Sequence, residues 1–266
     1  MQSGLTQSDI GRMGFLSIMP SIRKLSIRLR NRQTYRWWFS RFLRPLAYRY
    51  YRLRYSAYPD PSSDIVVDPH SIAGWYRGDI YSRVSFVGQI TRGDWRRRLT
   101  ERKAYMAYNP KYESAKQRYV QGMPWRETDL FKQFSADSPS KPLPGGARNL
   151  DDLERIYEQR YDSLYEALKE GGFRPAGDGV RPVYVCIDHD GKMYYTVDGN
   201  HRLAMVLVLG IRKIPVKVLR RHKLWQLMRD ELCGKLRQGE LSEKDLEMLT
   251  HPDLQDLRVK CAATER

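Results

Sequence analysis

Only three of the 266 residues are cysteine. Cys186, Cys233 and Cys261 are odd in number, widely spaced and make no CxxC pair, which argues against a disulfide framework or a zinc site and for a reducing compartment. No stretch approaches the run of about eighteen apolar residues that marks a transmembrane helix. The opening MQSGLTQSDIGRMGFLSIMPSIRK puts a short apolar stretch ahead of its charges, the reverse of a secretory signal. No internal repeat is visible. With 41% apolar residues, the chain has enough to bury one good-sized core, so a single globular domain with extensions is expected.

Acid is the other scarcity, and it is local. Met1 to Pro59 holds twelve Lys or Arg against one acid, Asp9, so about +11 of the formal +16 lies there and only about +5 in the rest. What fills this arm is aromatic: TYRWWFSRFLRPLAYRYYRLRY, Thr34 to Tyr55. On a 3.6-residue period Tyr35, Trp38, Phe39, Phe42, Leu43, Leu46, Tyr50 and Leu53 share one broad face, and Arg36, Arg41, Arg44, Arg52 and Arg54 fall largely outside it. This is the pattern of an interfacial helix, with Pro45 expected to kink it or split it in two. Trp37, Trp38, Phe39 and Phe42 suit the headgroup zone, and Arg41 and Arg44 suit anionic lipid, each arginine worth about 1 kcal/mol near such a surface. Packing of the arm on the protein's own core and contact with nucleic acid are the alternatives.

AYPDPSSDIVVDPHSI, Ala57 to Ile72, is rich in proline and turn residues and reads as a linker. Beyond it the pattern turns mixed. SRVSFVGQI is strand-like and runs into a Gly93-Asp94-Trp95 turn. ADSPSKPLPGGARN is a loop. Leu150, Leu153, Ile156, Tyr157, Tyr161, Leu164 and Leu168 recur at helical spacing up to Gly171 and Gly172, which predicts a glycine-capped amphipathic helix. RPVYVCID and MYYTVD are strands joined by HDGK, HRLAMVLVLG is a helix closed by Gly210, and KIPVKVL is a further strand.

The polar knot Asp198, Gly199, Asn200, His201, Arg202 stands where a strand hands over to that helix. The first turn of such a helix presents unpaired backbone N–H groups and a positive dipole end, which suits an anion. Gly199 lets the backbone approach closely, and His201 and Arg202 add phosphate-binding donors. The competing reading has Asp198 capping the helix while His201 and Arg202 tie down loops.

DGNHRLAMVLVLGIRKIPVKV resembles the central signature of the ParB/sulfiredoxin superfamily, in which a Gly-x-x-Arg turn at a helix start binds nucleotide phosphates and an IPV strand follows. VDPHSI, Val67 to Ile72, is similar to the opening of that domain. The resemblance implies an α+β fold, a ParB/sulfiredoxin-like mixed sheet with flanking helices, over about residues 60–220. An insertion at about 91–148 would interrupt it, the arm at 1–59 would precede it and helices at 221–266 would follow. It also implies three chemistries. DNA clamping needs more chain than the two helices that fit after the last strand. Reduction of oxidised cysteine needs a cysteine in the turn, where Asn200 stands; Cys186, on the preceding strand, reads as a small buried hydrophobe.

The third chemistry that the resemblance implies, that of kinases acting on free serine, survives by elimination, and it implies ATP, or another nucleoside triphosphate, with Mg²⁺ and transfer to a hydroxyl acceptor. Asp198 would be metal ligand or base and Asp94 a second carboxylate. Gly199, Asn200, His201 and Arg202 would hold the phosphates. Arg221 and His222, with Arg220, would either close over the nucleotide or form a solvated basic edge. Asp94 also suits a plain capping role in its turn. A nucleic-acid-binding or nucleotide-sensing relative without turnover is the alternative.

Overall fold

A computed structural model describes residues 42–77, 86–101, 109–137, 142–174, 182–196 and 199–262. The chain divides into two compact units, one comprising residues 1–54 with 81–84 and the other the remainder.

In the first unit the described part is one helix, α1 (Arg44–Arg54). Pro45 is the second residue of this α-helix, and Phe42 and Leu43 directly ahead of it are in π-helical conformation, so the helix changes form at the proline. Leu43, Leu46, Tyr50 and Leu53 are exposed, Leu53 to 90%, whereas Ala47, Tyr48 and Tyr51 on another side are half-buried. Trp37, Trp38, Phe39 and Arg41 lie outside the described residues; Phe42 and Arg44 are exposed.

The second unit is a mixed α+β structure in which, among the described residues, helices flank a seven-stranded sheet. Its strands are β1 (Ile65–Val67), β2 (Gly74–Tyr76), β3 (Gln89–Thr91), β4 (Leu99–Glu101), β5 (Val183–Ile187), β6 (Met193–Tyr195) and β7 (Ile214–His222). The order is β1-β7-β5-β6-β2-β4, with β3 pairing further along β7. β7 runs parallel to β5 and β3, and β6 parallel to β2; the other pairings are antiparallel. β5, VYVCI, reads as a nearly continuous apolar run because both of its faces are covered. It leads into β6 through the Asp188-to-Lys192 turn, which Asp188 fixes by accepting from the backbone N–H groups of Asp190 and Lys192, both at 2.9 Å.

Helices α2 (Pro110–Tyr119), α3 (Asp129–Asp137), α4 (Leu150–Tyr157) and α5 (Ser163–Gly171) come next in the chain, then α6 (Asn200–Val208), α7 (Lys223–Gln238), α8 (Glu243–Met248) and α9 (Gln255–Ala262). The single helix expected from Leu150 to Leu168 is α4 and α5 joined by a wider π turn, Glu158–Asp162, and it ends on Gly172 at φ 66°. The extra residue in that turn aims Asp162 at Arg118, Tyr119 and Trp125, at 2.6, 3.1 and 3.1 Å. Around it Trp125, Leu130 and Phe131 pack with Leu153 and Tyr157 of α4 in a second apolar cluster, so the stretch at 91–148 and α4 share one small core.

Two expectations change here. Residues at the supposed arm-to-linker junction are core: Tyr55, Ala57 and Tyr58 are buried, and the Ala57 N–H donates to Asp230 at 2.8 Å. Their apolar side chains and paired backbone place the boundary at Arg54. Cysteine is the other. Cys233 of α7 and Cys261 of α9 form a disulfide, their Cα atoms 5.7 Å apart, because α9 folds back on α7 across 28 residues of sequence. Wide spacing along the chain said nothing about spacing in space. Cys186 is free and buried.

Candidate functional site

β6 leads to the turn ahead of α6, and the described part of that turn opens at Gly199. It takes φ 80° and ψ 9°, the left-handed region, and serves as the N-cap of α6 with no side-chain cap bond. A Cβ there would lie 3.0 Å from Val183 Cγ2 and 3.2 Å from Val183 Cα. Glycine is therefore required twice, by its dihedral and by its packing against the start of β5. The N–H groups of Asn200, His201 and Arg202 occupy the first turn of α6, the positive end of its dipole. Arg202 is half-buried. Its guanidinium lies 4.1 Å from the centre of the Phe173 ring and donates to the Arg174 carbonyl at 3.1 Å, and burial lowers its pKa.

His201 is held between rings, stacked on Tyr161 at 4.2 Å and edge-on to Tyr157 at 5.7 Å. Burial, and then the nearby charges of Lys111 and Arg160, push its pKa down to about 3. It is neutral at physiological pH, so it offers hydrogen bonding and no charge to whatever meets this turn.

The other predicted residues are elsewhere. Gly199 packs on Val183 at the start of β5, whereas Arg221 pairs with Ile187 at its end. Four residues of strand separate them, about 13 Å. At this far end Arg221 is buried and ion-paired to Asp253 at 2.5 Å. Asp253 also accepts from Arg229 at 3.3 Å and from the Trp225 indole N–H at 2.9 Å. His222 is buried, its Nδ1 accepting from the Leu224 N–H at 3.2 Å and its Nε2 donating to the Gly93 carbonyl at 3.0 Å, so both ring nitrogens are engaged. Arg220 lies against Gln89 and Tyr76. The basic strand end thus neither closes over the α6 turn nor forms a solvated edge, because its cations face buried partners.

Asp94 is beside this second group, since Gly93 is the His222 partner. Its carboxylate accepts from the Arg96 side chain at 3.0 Å and the Arg96 N–H at 2.9 Å, which together lower its pKa. That is the capping role, and it leaves Asp94 apart from Gly199 and Arg202. Asp198 lies outside the described residues. Among the described residues, no group of three His, Cys, Asp or Glu is arranged to hold a metal ion.

Lys111, Arg160, Phe173 and the rings of Tyr157 and Tyr161 border the α6 turn and were not picked out as site residues. Asn109-Pro110-Lys111 is a legible helix start, with Asn109 capping the Lys111 N–H at 3.1 Å. Tyr157 and Tyr161 were legible as members of a periodic apolar face, but nothing in that period says which partner the face meets.

The fold and this turn define an α+β protein with a glycine-initiated, cation-bordered helix start beside the central strand of its sheet. No family model, curated protein or solved structure matches the chain.

Proposed function

We propose that this is a ParB/sulfiredoxin-like protein that binds the phosphates of a nucleoside triphosphate at the first turn of α6 and transfers a phosphoryl group to a hydroxyl acceptor. The observation that carries the reading is Gly199. It opens the helix without a side-chain cap, in a conformation and a packing that exclude a Cβ, and Arg202 is held alongside. Phosphate groups fit this turn. Mg²⁺ does not find a ligand set among the described residues, so no step is assigned to it; Asp198, adjacent to Gly199 in sequence, is the acid the transfer reading requires. Reduction of an oxidised cysteine is disfavoured by Cys186, which is fully buried with its thiol pushed up to about 12 by that burial, far from the thiolate such chemistry uses.

A thermal-shift series with each nucleoside triphosphate tests the site. At a hundred times the Kd a ligand adds about 2.7 kcal/mol to stability. Arg202→Ala should abolish that shift while costing the ligand-free protein only about 2 kcal/mol, the value of its contact with Phe173 and its hydrogen bond to the Arg174 carbonyl. A variant that keeps the full shift, or a wild type stabilised by no nucleotide, ends this reading.

The basic arm is proposed to hold the protein on an anionic membrane surface. No described helix is long and apolar enough to cross a membrane, whereas Leu46, Tyr50 and Leu53 of α1, with Leu43 just ahead of it, form an exposed apolar stripe next to Arg49 and Arg52. That is the arrangement of a helix lying in an interface. Full-length protein should pellet with vesicles containing phosphatidylserine but not with phosphatidylcholine alone, and Leu46→Glu with Leu53→Glu should release it. Pelleting unaffected by the double variant, or tight salt-sensitive binding to DNA without any to vesicles, would point the arm to nucleic acid.

A further inference from the structure

A concentration of charge in the second unit takes no part in the α6 turn. Residues 91–98 read TRGDWRRR, four arginines against one acid, so +3 of the formal charge of about +5 beyond Pro59 falls in this short stretch. Arg92 follows β3 directly, and Arg96, Arg97 and Arg98 form the 3₁₀ turn that leads into β4. β4 pairs antiparallel with β2, and the Arg77 N–H donates to the Arg98 carbonyl at 2.6 Å, which sets Arg77 beside that turn. These arginines are all exposed. Arg96 is engaged by Asp94 and Arg98 donates to the Tyr76 hydroxyl at 3.2 Å, whereas among the described residues no hydrogen bond or ion pair engages the side chain of Arg77, Arg92 or Arg97. The turn that presents them is pinned from beneath. Trp95 is buried, edge-on to Tyr76 at 5.0 Å and to His222 at 5.4 Å, and the Gly93 carbonyl accepts from His222 at 3.0 Å. A surface held in this way loses little freedom when it docks, and charge of one sign gathered on it attracts a partner of the other.

We propose that the face made by Arg77, Arg92, Arg96, Arg97 and Arg98 is a membrane contact of the folded unit itself, docking it on the phosphates of anionic lipid headgroups. The inference rests on the membrane reading of the arm. A guanidinium can meet a phosphate with two parallel hydrogen bonds, and a helix lying in an interface binds more strongly when charge attraction to anionic lipid is added to its buried apolar area. Nucleic acid fits this face less well. Among the described residues it offers no exposed ring on which a base could stack, since Tyr76 and Trp95 are buried. Its arginines come from a 3₁₀ turn and strand ends, and no helix carries them into a groove.

Partition of the full chain onto vesicles containing phosphatidylserine, at physiological salt, separates the two claims. Arg92→Gln with Arg97→Gln should weaken binding about thirtyfold, at roughly fivefold for each arginine near such a surface, and the deficit should shrink as salt is raised. Arg237→Gln with Arg258→Gln removes the same charge from exposed positions on α7 and α9 and should stay within about twofold of wild type. A melting curve on each variant confirms that it is folded. If the Arg92 and Arg97 variant binds as tightly as wild type, or the Arg237 and Arg258 variant loses as much, the arginine face is overturned and the arm reading stands. A variant at Arg92 and Arg97 that keeps its lipid binding and loses affinity for duplex DNA overturns it in favour of nucleic acid. If wild type does not bind these vesicles, the arm reading falls and the arginine face with it.

Discussion

Asp253→Ala should cost about 3 to 5 kcal/mol and lower the melting temperature by roughly 10 °C or more, because it leaves two arginines buried without their shared acid. Arg221 and Arg229 both pair with Asp253, the Arg229 side chain is 0% exposed and that of Asp253 1%. The same network predicts a pH dependence. Burial alone would raise the Asp253 pKa, but Arg221 and Arg229 outweigh it and hold the group down to about 2, against an ordinary 3.8. The folded-state value is depressed, so the contribution is fully present above the unfolded value and is lost as pH falls from about 4 through about 2. Equilibrium denaturation from pH 7 to pH 2 should therefore show a plateau and then a decline that Asp253→Ala largely lacks. An Asp253→Ala protein as stable as wild type at pH 7 would show that the two arginines find other partners.

Reduction of the Cys233–Cys261 bond should be the other large effect. Closing a loop across 28 residues restricts the unfolded chain by about 3.5 kcal/mol in the chain-entropy account. Cys233→Ala with Cys261→Ala, or wild type unfolded and refolded with reductant, should melt at least about 5 °C lower. Both sulfurs are buried, so a reductant should act only as fast as the C-terminal helices open. Mass spectrometry of protein denatured without reductant should find two cysteines protected from alkylation and Cys186 alone labelled. Labelling of all three, with equal melting temperatures, would remove the bond from the account of stability.

Much of the sheet was legible because its signals are local. Val183 to Ile187 and Ile214 to Leu219 read as strands from β-branched runs, the hairpin between β5 and β6 from Asp190-Gly191, and α6 from an apolar run that stops at Gly210. The glycine at the start of α6 was legible for the same reason: a helix start needs a particular backbone, and residue type reports it. Less legible was where polar residues face. Arg220, Arg221 and His222 look like a basic surface when read along the chain, and only the return of α9 and the loop ahead of it, carrying Asp253, makes that strand end an interior.

By itself, then, the sequence determined the strands β5, β6 and β7, the helical stretch from Leu150 to Leu168, where α6 begins, and that the positive charge is concentrated in the first 59 residues, whereas β1 lay hidden in a stretch that reads as a linker. Each of the legible features is written in spacing or composition within a few residues. Tertiary structure decided what meets what. The parallel register of β5 and β7 sends Gly199 and Arg202 to one end of the sheet and Asp94, Arg221 and His222 to the other. The packing of α2 and the π turn brings Lys111, Arg160 and Tyr161 round His201, and the return of α9 closes Cys233 on Cys261. The physical reason is that pairings between residues tens of positions apart are selected by the burial of whole faces, and no local pattern records which face will be the partner.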